Sequence, residues 1–209
     1  MSKKAETAVE LFKRKAEPVS IRVTEVKDLK EAMAYALDIC EKKDACQLLL
    51  TGCEQSLSDS GQAHCERPQA KVVAAPALGK KEYAALAKLG EEKGFTVISE
   101  GMRNHLAGID VGFSIADMAI AETATCVLEC QGEDARLAGM VCEIHVIALP
   151  KSRIVNTSYE AEDYLRRLMS DGPMYTAFIS GPSRTADIER VLTIGVHGPL
   201  ELHIALMEG

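Results

Sequence analysis

The segment ISGPSRTADIE, residues 179–189, indicates the architecture of this chain more directly than any other. Residues 175–180 are rich in β-forming types and predict a strand, which Gly181-Pro182 then interrupts. Apolar residues at 188, 191 and 192 have helical spacing and predict a helix over 184–193. A strand that leads directly into a helix is the repeating unit of α/β folds.

The junction between this strand and this helix also predicts an anion-binding site. A helix N-terminus directs free backbone N–H groups and the positive end of the helix dipole at one point. Gly181, Ser183, Arg184 and Thr185 stand at that point in the sequence, so we expect them to bind a small carboxylate or phosphate. The alternative is that Ser183 or Thr185 only caps the helix while Arg184 is solvated.

Short apolar strands alternate with helices along the rest of the chain. The strands are predicted at 46–51, 71–75, 95–99, 111–115, 124–129, 143–149 and 202–207. The helices are predicted at 5–16, 28–43, 80–93, 103–107, 133–141 and 158–170, and a long loop at 52–69. This alternation predicts an α/β fold with a mostly parallel sheet covered on both faces. In a chain of 209 residues we expect an N-terminal helical segment over 1–20 and a single α/β domain over 21–209.

The composition argues against several classes of protein. A net charge of −7 and a pI near 5.3 would repel nucleic-acid phosphates, so no nucleic-acid partner is expected. No apolar run is long enough to span a bilayer, and the N-terminal residues lack the apolar core of a signal peptide. We therefore expect a cytoplasmic protein without a membrane span.

The seven cysteines show none of the close pairs that hold metal clusters. They stand at 40, 46, 53, 65, 126, 130 and 142, without a CxxC spacing. Iron–sulfur and structural zinc sites rely on such pairs, so we expect reduced thiols and no metal in this chain. The alternative is an unusual metal site that includes Cys53 and His64-Cys65. The dinucleotide fingerprint GxGxxG is also absent, which predicts that no redox cofactor binds to this chain.

Four segments are predicted to end strands at one edge of the sheet, where the ligands of open α/β sheets collect. They are 114–117, 122–123, 150–153 and 181–185. The second contains Glu122, whose apolar sequence neighbours predict a carboxylate that is partnered or has a raised pKa. Glu122 could serve as a catalytic nucleophile or base, or it could pair with an arginine, Arg153 or Arg184, and order the sheet.

Further candidates flank these strand ends. Asp117 could line the site or cap a short helix that begins at Met118. His197 lies in a predicted turn, from which its ring could act as a catalytic proton donor to a bound carbonyl or carboxylate. Thr123 and Arg153 complete the set expected to bind the anion. The remaining strand histidines, His145 and His203, are predicted to be core residues.

Several of these motifs occur together in one known family. ISGPSRTADIE, followed by GVHGP at 195–199 and LHIALM at 202–207, with ADMAIAETATCVLE at 116–129 upstream, resembles the C-terminal half of the lactate utilization protein C family, which carries the LUD domain. Ala124 stands where the family commonly has glycine. The resemblance implies a three-layer α/β/α core similar to the ribose-5-phosphate isomerase and CoA-transferase group. The positions that correspond to the family's motif are Asp117, Glu122, Thr123, Thr125, His145, Ser152, Arg153 and 181–187.

The resemblance also implies a function. It suggests an accessory subunit of a bacterial system that oxidises L-lactate to pyruvate. Such a subunit would bind a small anion and dock on partner subunits that carry the iron–sulfur clusters and the flavin. One alternative is a free-standing enzyme of the CoA-transferase or sugar-phosphate isomerase type that uses Glu122. Another is a structural assembly factor whose apparent anion site is an ordinary helix cap. A homo-oligomer is compatible with each of these.

Overall fold

Parallel strands form the centre of the protein. The computed structural model describes residues 6–43, 71–105, 108–170, 174–187 and 189–208. The strand expected at 46–51 and the loop expected at 52–69 lie outside the described residues. Ile188 and the end of the helix predicted at 103–107 also lie outside them.

The elements of the described residues alternate along the chain. The strands are β1 (Ile21–Val26), β2 (Val72–Ala74), β3 (Thr96–Ile98), β4 (Ile109–Ile115), β5 (Met118–Ile120), β6 (Thr125–Cys130), β7 (Cys142–Pro150), β8 (Ile154–Val155), β9 (Tyr175–Ile179), β10 (Arg184–Thr185), β11 (Thr193–Ile194) and β12 (Glu201–Met207). The α-helices are α1 (Ala8–Ala16), α2 (Leu29–Lys42), α3 (Lys80–Glu92), α4 (Glu133–Ala138) and α5 (Glu162–Ser170). Short 3-10 turns lie at Glu17–Val19, Met102–His105, Ala121–Thr123, Lys151–Arg153 and Tyr159–Ala161.

The central sheet of the described residues has the strand order β1-β12-β7-β4-β2-β3. Every neighbouring pair in it is parallel. The inner strands β4, β7 and β12 are buried along almost their whole length. This burial is expected of parallel strands that are covered on both faces. The predicted α/β class with a mostly parallel sheet is therefore confirmed.

Helices α2 and α3 cover one face of the central sheet. The apolar stripe predicted for the second helix is buried, with Leu37 and Cys40 among its members. These residues pack with Leu86 of α3 against side chains of the sheet such as Phe113. Burying a side chain of this size contributes about 1.5–3 kcal/mol, so this face anchors both helices.

A smaller sheet covers the opposite face. Its strand order is β8-β5-β6-β9, and β6 runs antiparallel to both β5 and β9. Side chains alternate along β6, so Cys126, Leu128 and Cys130 point toward the central sheet while Val127 points outward. Helix α1 packs into the inner core through Phe12, and α5 covers the outer face of the small sheet.

Among the described strands, β1, β5, β8, β10 and β11 were not predicted, and two predicted strands, β6 and β9, belong to the small sheet. β1 was not predicted, because it is an edge strand whose sequence IRVTEV is half polar. A short helix was expected to begin at Met118, but β5 begins there. The apolar stretch after β5 folds back as β6 and pairs with β5 in antiparallel orientation. β9 is a strand, as predicted, but it belongs to the small sheet rather than to the parallel one.

The prediction of a helix over 184–193 is wrong, because β10 and β11 form an antiparallel hairpin there. Thr185 Oγ1 accepts a hydrogen bond from the Asp187 N–H at 3.2 Å. Such a local side-chain bond competes with the start of a helix. Glu189 and Arg190 adopt positive φ angles of 52° and 60°, a conformation that a right-handed helix does not contain.

The N-terminal segment begins with a capped helix. Thr7 and Glu10 form a capping box at the start of α1, which satisfies two backbone N–H groups. Phe12 and Ala16 of this helix are fully buried in the core between the two sheets. The division of the chain at residue 20 stays a prediction. None of the helices that the structure describes has the length and apolar character needed to cross a bilayer.

Candidate functional site

The connections that leave β2 and β4 lie on opposite faces of the central sheet. β2 leads to α3, on the face that α2 covers, whereas β4 leads to β5 and the small sheet. These two strands are neighbours, and such a switch point opens a crevice in which α/β proteins bind ligands. The crevice here is a cleft of about 640 Å³, which we call the β2–β4 cleft. Its lining includes Gly79, Ser114, Asp117, Glu129, Glu133 and Arg153.

Two residues predicted to bind the ligand, Asp117 and Arg153, both line this cleft. Asp117 follows the end of β4, and Arg153 ends the turn that follows β7. β4 and β7 are parallel neighbours, so their carboxyl ends reach the same edge of the sheet. The segments 114–117 and 150–153 therefore meet as expected, while their part in binding stays a prediction.

Arg153 is anchored to the main chain at one point. Its Nη1 donates a hydrogen bond to the Ala116 carbonyl oxygen at 2.6 Å. A guanidinium carries five N–H donors in a planar fork, so this bond leaves donors for a carboxylate or phosphate. The side chain is exposed at the rim, where it can hold an anion that enters the cleft.

Asp117 is tied to the small sheet. Its Oδ2 accepts a hydrogen bond from the Glu129 N–H at 2.8 Å. Burial is the main effect, and it raises the pKa of the Asp117 carboxyl above its ordinary value. The negative charge of Glu129 raises this pKa further. The hydrogen bond from the Glu129 N–H and the positive charge of Arg153 lower this pKa and offset part of the rise. The alternative role as a helix cap is wrong, because Met118 starts a strand.

Glu129 and Tyr164 are functional candidates that the sequence analysis did not identify. Tyr164 of α5 donates a hydrogen bond from its hydroxyl to the Glu129 carboxylate. Burial and this hydrogen bond raise the pKa of Tyr164 above its ordinary value. The available signal was an acidic residue inside a predicted apolar strand, since a carboxylate in that setting needs a partner.

The N-terminus of α3 also borders the cleft. Gly79 occupies its N-cap position and provides no side-chain capping bond. The first N–H groups of a helix have no intrahelical partner, and the helix dipole favours negative charge there. Two acids of the lining are engaged elsewhere: Glu133 pairs with Arg103 at 2.5 Å, and Asp134 accepts the Met102 N–H at 2.8 Å. The local field is therefore less acidic than the lining residues alone indicate.

Ser114 connects the cleft to a buried histidine. Ser114 Oγ lies 3.0 Å from His145 Nε2, and the two residues are 5% and 1% exposed. Burial lowers the pKa of His145 to about 4, so its ring is neutral at pH 7. His203 is buried as well, with Tyr35 and Glu201 each 2.8 Å from a ring nitrogen. The prediction that both histidines are core residues is confirmed.

The strand junction lines a different cleft, of about 370 Å³, which we call the β9–β10 cleft. Its lining includes Gly181, Ser183, Arg184 and His197. The Ser183 N–H donates to the Pro199 carbonyl at 2.9 Å, so this group is already paired. Because a hairpin replaces the expected helix, the helix dipole on which the predicted anion site depended is missing from this cleft. Anion binding by these residues stays a prediction, as does the catalytic role of His197.

The side chains at the junction have partners within the chain. Arg184 Nη2 donates to Ser20 Oγ at 2.6 Å. Thr185 Oγ1 donates to Asp187 Oδ2 at 2.6 Å. Gly181 has a φ of 120°, and a Cβ there would lie 2.7 Å from the Val19 carbonyl oxygen, so glycine is needed for this close passage of the backbone.

Glu122 and Thr123 lie in the turn between β5 and β6 and line neither cleft. Glu122 Oε1 accepts hydrogen bonds from Ser158 N and Ser158 Oγ at 2.6 and 2.7 Å. These bonds lower the pKa of Glu122 below its ordinary value. The carboxylate has a hydrogen-bond partner, as the sequence predicted. That partner is Ser158 and not Arg153 or Arg184. A raised pKa is the wrong expectation, because the turn places the side chain at the surface rather than in the apolar core.

The described cysteines are buried: Cys40, Cys126, Cys130 and Cys142. Burial raises the pKa of Cys40 and of Cys126 to about 12. Within the described ranges, no cluster of three or more histidine, cysteine and acidic side chains is arranged to hold a metal ion. The alternative site with Cys53 and His64-Cys65 lies outside those ranges, so the absence of a metal stays a prediction.

A parallel α/β sheet with a polar cleft at its switch point is the arrangement in which open α/β proteins commonly bind small ligands. The family model of the LUD domain matches residues 9–207. The chain therefore belongs to the LUD domain family, as the sequence motifs indicated.

Relatives with curated names match about half of the chain. Lactate utilization protein C of Shouchella clausii is 37% identical over 94 residues, which are 44% of this chain and 41% of that protein. Lactate utilization protein C of Exiguobacterium sp. is 37% identical over 111 residues, 52% of this chain and 48% of that protein. The match spans less than half the length of either relative.

A solved structure matches almost the whole fold. The crystal structure of a DUF162 family protein from Deinococcus radiodurans superposes with a TM-score of 0.60 over 96% of both chains. The two sequences are 19% identical. At this identity the likeness supports the α/β fold of the present chain and carries no information on its ligand.

Proposed function

We propose that this protein serves bacterial lactate utilization as an accessory subunit that binds a small carboxylate in the β2–β4 cleft. Membership of the LUD domain family and the names of the two curated relatives support the process. The observation that carries the binding site is Arg153, an exposed guanidinium anchored to the Ala116 carbonyl at the switch point of the sheet.

The chemistry of the cleft suits a small acid. A guanidinium binds a carboxylate through two parallel N–H···O bonds, which fix the orientation of the ligand as well as its position. The N-terminus of α3 borders the cleft and adds favourable potential, part of which the Glu82 carboxylate beside Gly79 offsets. The ligand would thus be held at its carboxylate, with the rest of the molecule directed toward Asp117 and Glu129.

The redox step belongs, in this proposal, to partner subunits that carry iron–sulfur clusters and flavin. The sequence has neither the CxxC pairs nor the GxGxxG fingerprint by which such groups are commonly held. This chain would bind the acid and dock on those subunits in the cytoplasm. The alternative enzyme that uses Glu122 gains no support, since Glu122 lies outside both clefts.

Titration calorimetry with lactate, pyruvate, propionate and phosphate tests the binding site. Arg153→Ala should weaken carboxylate binding roughly ten- to hundredfold, because a charge-assisted hydrogen bond is worth about 1.5–3 kcal/mol and about 1.4 kcal/mol corresponds to tenfold. Arg153→Lys should retain part of the affinity, since it keeps the charge but not the fork. Arg184→Ala is the matched control in the β9–β10 cleft and should bind as the parent does.

The comparison of the two arginines decides the site. Loss of binding in Arg184→Ala with normal binding in Arg153→Ala would move the site to the β9–β10 cleft. A parent protein that binds none of the four anions would remove the proposed binding role altogether. Melting curves of each variant show whether a loss of affinity reflects unfolding instead.

A further inference from the structure

We propose that the outer face of helix α5 is a self-association surface, on which a second copy of this chain packs in antiparallel orientation about a twofold axis. We call this surface, formed by Tyr159, Glu162, Arg166 and Met169, the α5 face. The inference concerns the assembly of the chain with itself, so it depends on neither the ligand nor the process proposed above.

The α5 face exposes large apolar side chains. Tyr159 and Met169 are 86% and 80% exposed, the highest values among the large apolar side chains of the described residues. They border one groove of about 720 Å³, whose lining residues all fall within 158–170. Apolar side chains that share an exposed groove, unlike those scattered singly, mark a surface for association.

The inner face of the same helix holds α5 in position. Tyr164 and Leu165 pack with Ala161 and Val127 on the outer side of the small sheet. The Tyr164 hydroxyl also donates a hydrogen bond to the Glu129 carboxylate. A partner that binds the outer face therefore meets an ordered helix and loses little affinity to ordering it.

The charges on the exposed side of α5 are separated along its length. Glu162 and Asp163 lie in the first turn, and Arg166 and Arg167 lie in the second half. All four are exposed. Residues three and four apart share one side of a helix, so the spacing 159, 162, 166 and 169 gives a single stripe with an acidic and a basic half.

An antiparallel arrangement makes this stripe complementary to itself. A twofold axis at Tyr164 places Glu162 of one copy opposite Arg166 of the other. The same axis places Tyr159 of one copy opposite Met169 of the other, and sulfur–aromatic contacts are favourable. Because an interface about a twofold axis is isologous, each of these contacts occurs twice.

The charged groups at the centre of the stripe remain accessible to a second copy. Arg166 Nε donates to Glu162 Oε1 at 2.8 Å within one helix, and the two side chains are still 74% and 56% exposed. In the antiparallel pair the four groups form one network across the axis. Parallel packing would instead place like charges opposite each other, which is unfavourable.

A contact of one helix from each copy is small. Interfaces below about 1,200 Å² belong to weak, transient complexes, so the expected species is a dimer in equilibrium with its monomer. Sedimentation velocity of the full chain at increasing concentration measures this equilibrium. The dimer should weaken at high salt, because salt screens exposed charges.

Met169→Ser tests the apolar part of the α5 face. The variant should raise the dimer dissociation constant at least tenfold, since one substitution removes two buried contacts. Val191→Ser is the matched control, because Val191 is also exposed and apolar but lies before β11 in the hairpin region. It should keep the parental dissociation constant.

Charge exchange tests the antiparallel register. Arg166→Glu and Glu162→Arg should each be monomeric, because each variant carries like charges that would face each other. An equimolar mixture of the two variants should associate, since the acidic stripe of one then meets the basic stripe of the other. Lys42→Glu is the control: it breaks an exposed pair with Asp38 of the same i, i+4 spacing on α2 and should dimerise as the parent does.

Four outcomes would overturn the proposal. The first is a parent that stays monomeric at every concentration, including one that binds a different subunit through this helix. The second is a dimer that neither Met169→Ser nor the charge variants weaken. The third is a pair of folded charge variants that do not associate when mixed. The fourth is a dimer that Val191→Ser weakens as much as Met169→Ser does.

Circular dichroism of each variant verifies that it is folded. If a charge variant does not fold, Met169→Ser still decides, because it leaves both charges in place. Loss of the dimer in that variant, with the parental dimer kept in Val191→Ser and Lys42→Glu, supports the α5 face.

Discussion

Ala124 has an unusual backbone conformation that accounts for the residue type expected at its position. Its φ and ψ are 50° and 43°, in the left-handed region, where a non-glycine residue costs roughly 1–2 kcal/mol. The LUD resemblance places glycine at this position in the family, and the conformation explains that preference. The alanine methyl group is fully buried in the core between the two sheets, so its packing offsets part of the backbone cost.

His145 couples stability to pH. Its folded pKa of about 4 lies below the value of about 6.5 expected for the unfolded chain. Between these values the unfolded chain binds more protons than the folded one, so the free energy of unfolding falls as the pH is lowered. Above about pH 6.5 the ring is neutral in both states and this contribution no longer changes.

We therefore expect the parent to lose stability between pH 7 and pH 5 more steeply than His145→Gln. Glutamine can still bond Ser114 but has no proton to gain, so between pH 7 and pH 5 the parent should lose about 2 kcal/mol more stability than the variant. Urea unfolding at several pH values measures it. The pKa of His203 is also lowered, chiefly by burial, and that residue stays in both proteins as a common background. Parallel stability curves for parent and variant would count against a neutral, buried His145.

At the scale of elements, the hairpin β10–β11 shows the limit of helical spacing as a signal. Val191 and Leu192 stand where the predicted helix would bury them, yet they are 60% and 64% exposed. The ladder instead pairs Arg184 with Ile194 and Thr185 with Thr193. β-branched residues at 193 and 194 suit a strand.

Substitutions at these two exposed positions distinguish the hairpin from a helix. Val191→Ser and Leu192→Ser should each change the free energy of unfolding by less than about 0.5 kcal/mol, as surface substitutions do. Leu206→Ala, at a fully buried position of β12, serves as the reference and should cost about 2–5 kcal/mol. Urea denaturation compares them. Losses of that larger size at 191 or 192 would place these side chains in a core and refute the hairpin.

At the scale of the whole molecule, the layers assign different tasks to the two faces of the central sheet. The helices α2 and α3 pack against one face, and the N-terminus of α3 reaches the rim of the cleft. The small sheet on the other face brings Asp117 and Glu129 to the carboxyl ends of the parallel strands. The β2–β4 cleft thus lies where the two kinds of layer meet.

The protein purified under anaerobic conditions should carry no iron–sulfur cluster and no flavin, and should not oxidise lactate by itself. The sequence lacks paired thiolates and a dinucleotide fingerprint, and burial keeps Cys40 and Cys126 protonated at neutral pH. A visible spectrum, metal analysis and a lactate-dependent dye assay provide the measurements. Activity is expected once the partner subunits are added. Stoichiometric iron with broad visible absorption in the isolated chain would refute this assignment.

Local patterns in the sequence were sufficient for much of the fold. The apolar stripe of α2 and the strands β4, β7 and β12 could be predicted, because burial against a sheet imposes a regular spacing on each of them. The candidate pair Asp117 and Arg153 followed from one rule, that parallel strands deliver their carboxyl ends to a single edge. Glu129 could not be found in this way, since its role depends on Tyr164, which is 35 residues away in the chain.

The sequence by itself determined the α/β class, the LUD family and two members of the cleft. Tertiary structure alone decided that residues 184–194 contain a hairpin, that β9 joins the small sheet and that Glu122 faces Ser158 at the surface. The physical reason is that spacing along the chain reports which residues can share a face, but not what that face will meet. An apolar residue becomes core, and a carboxylate becomes part of a site, only through contacts with distant segments.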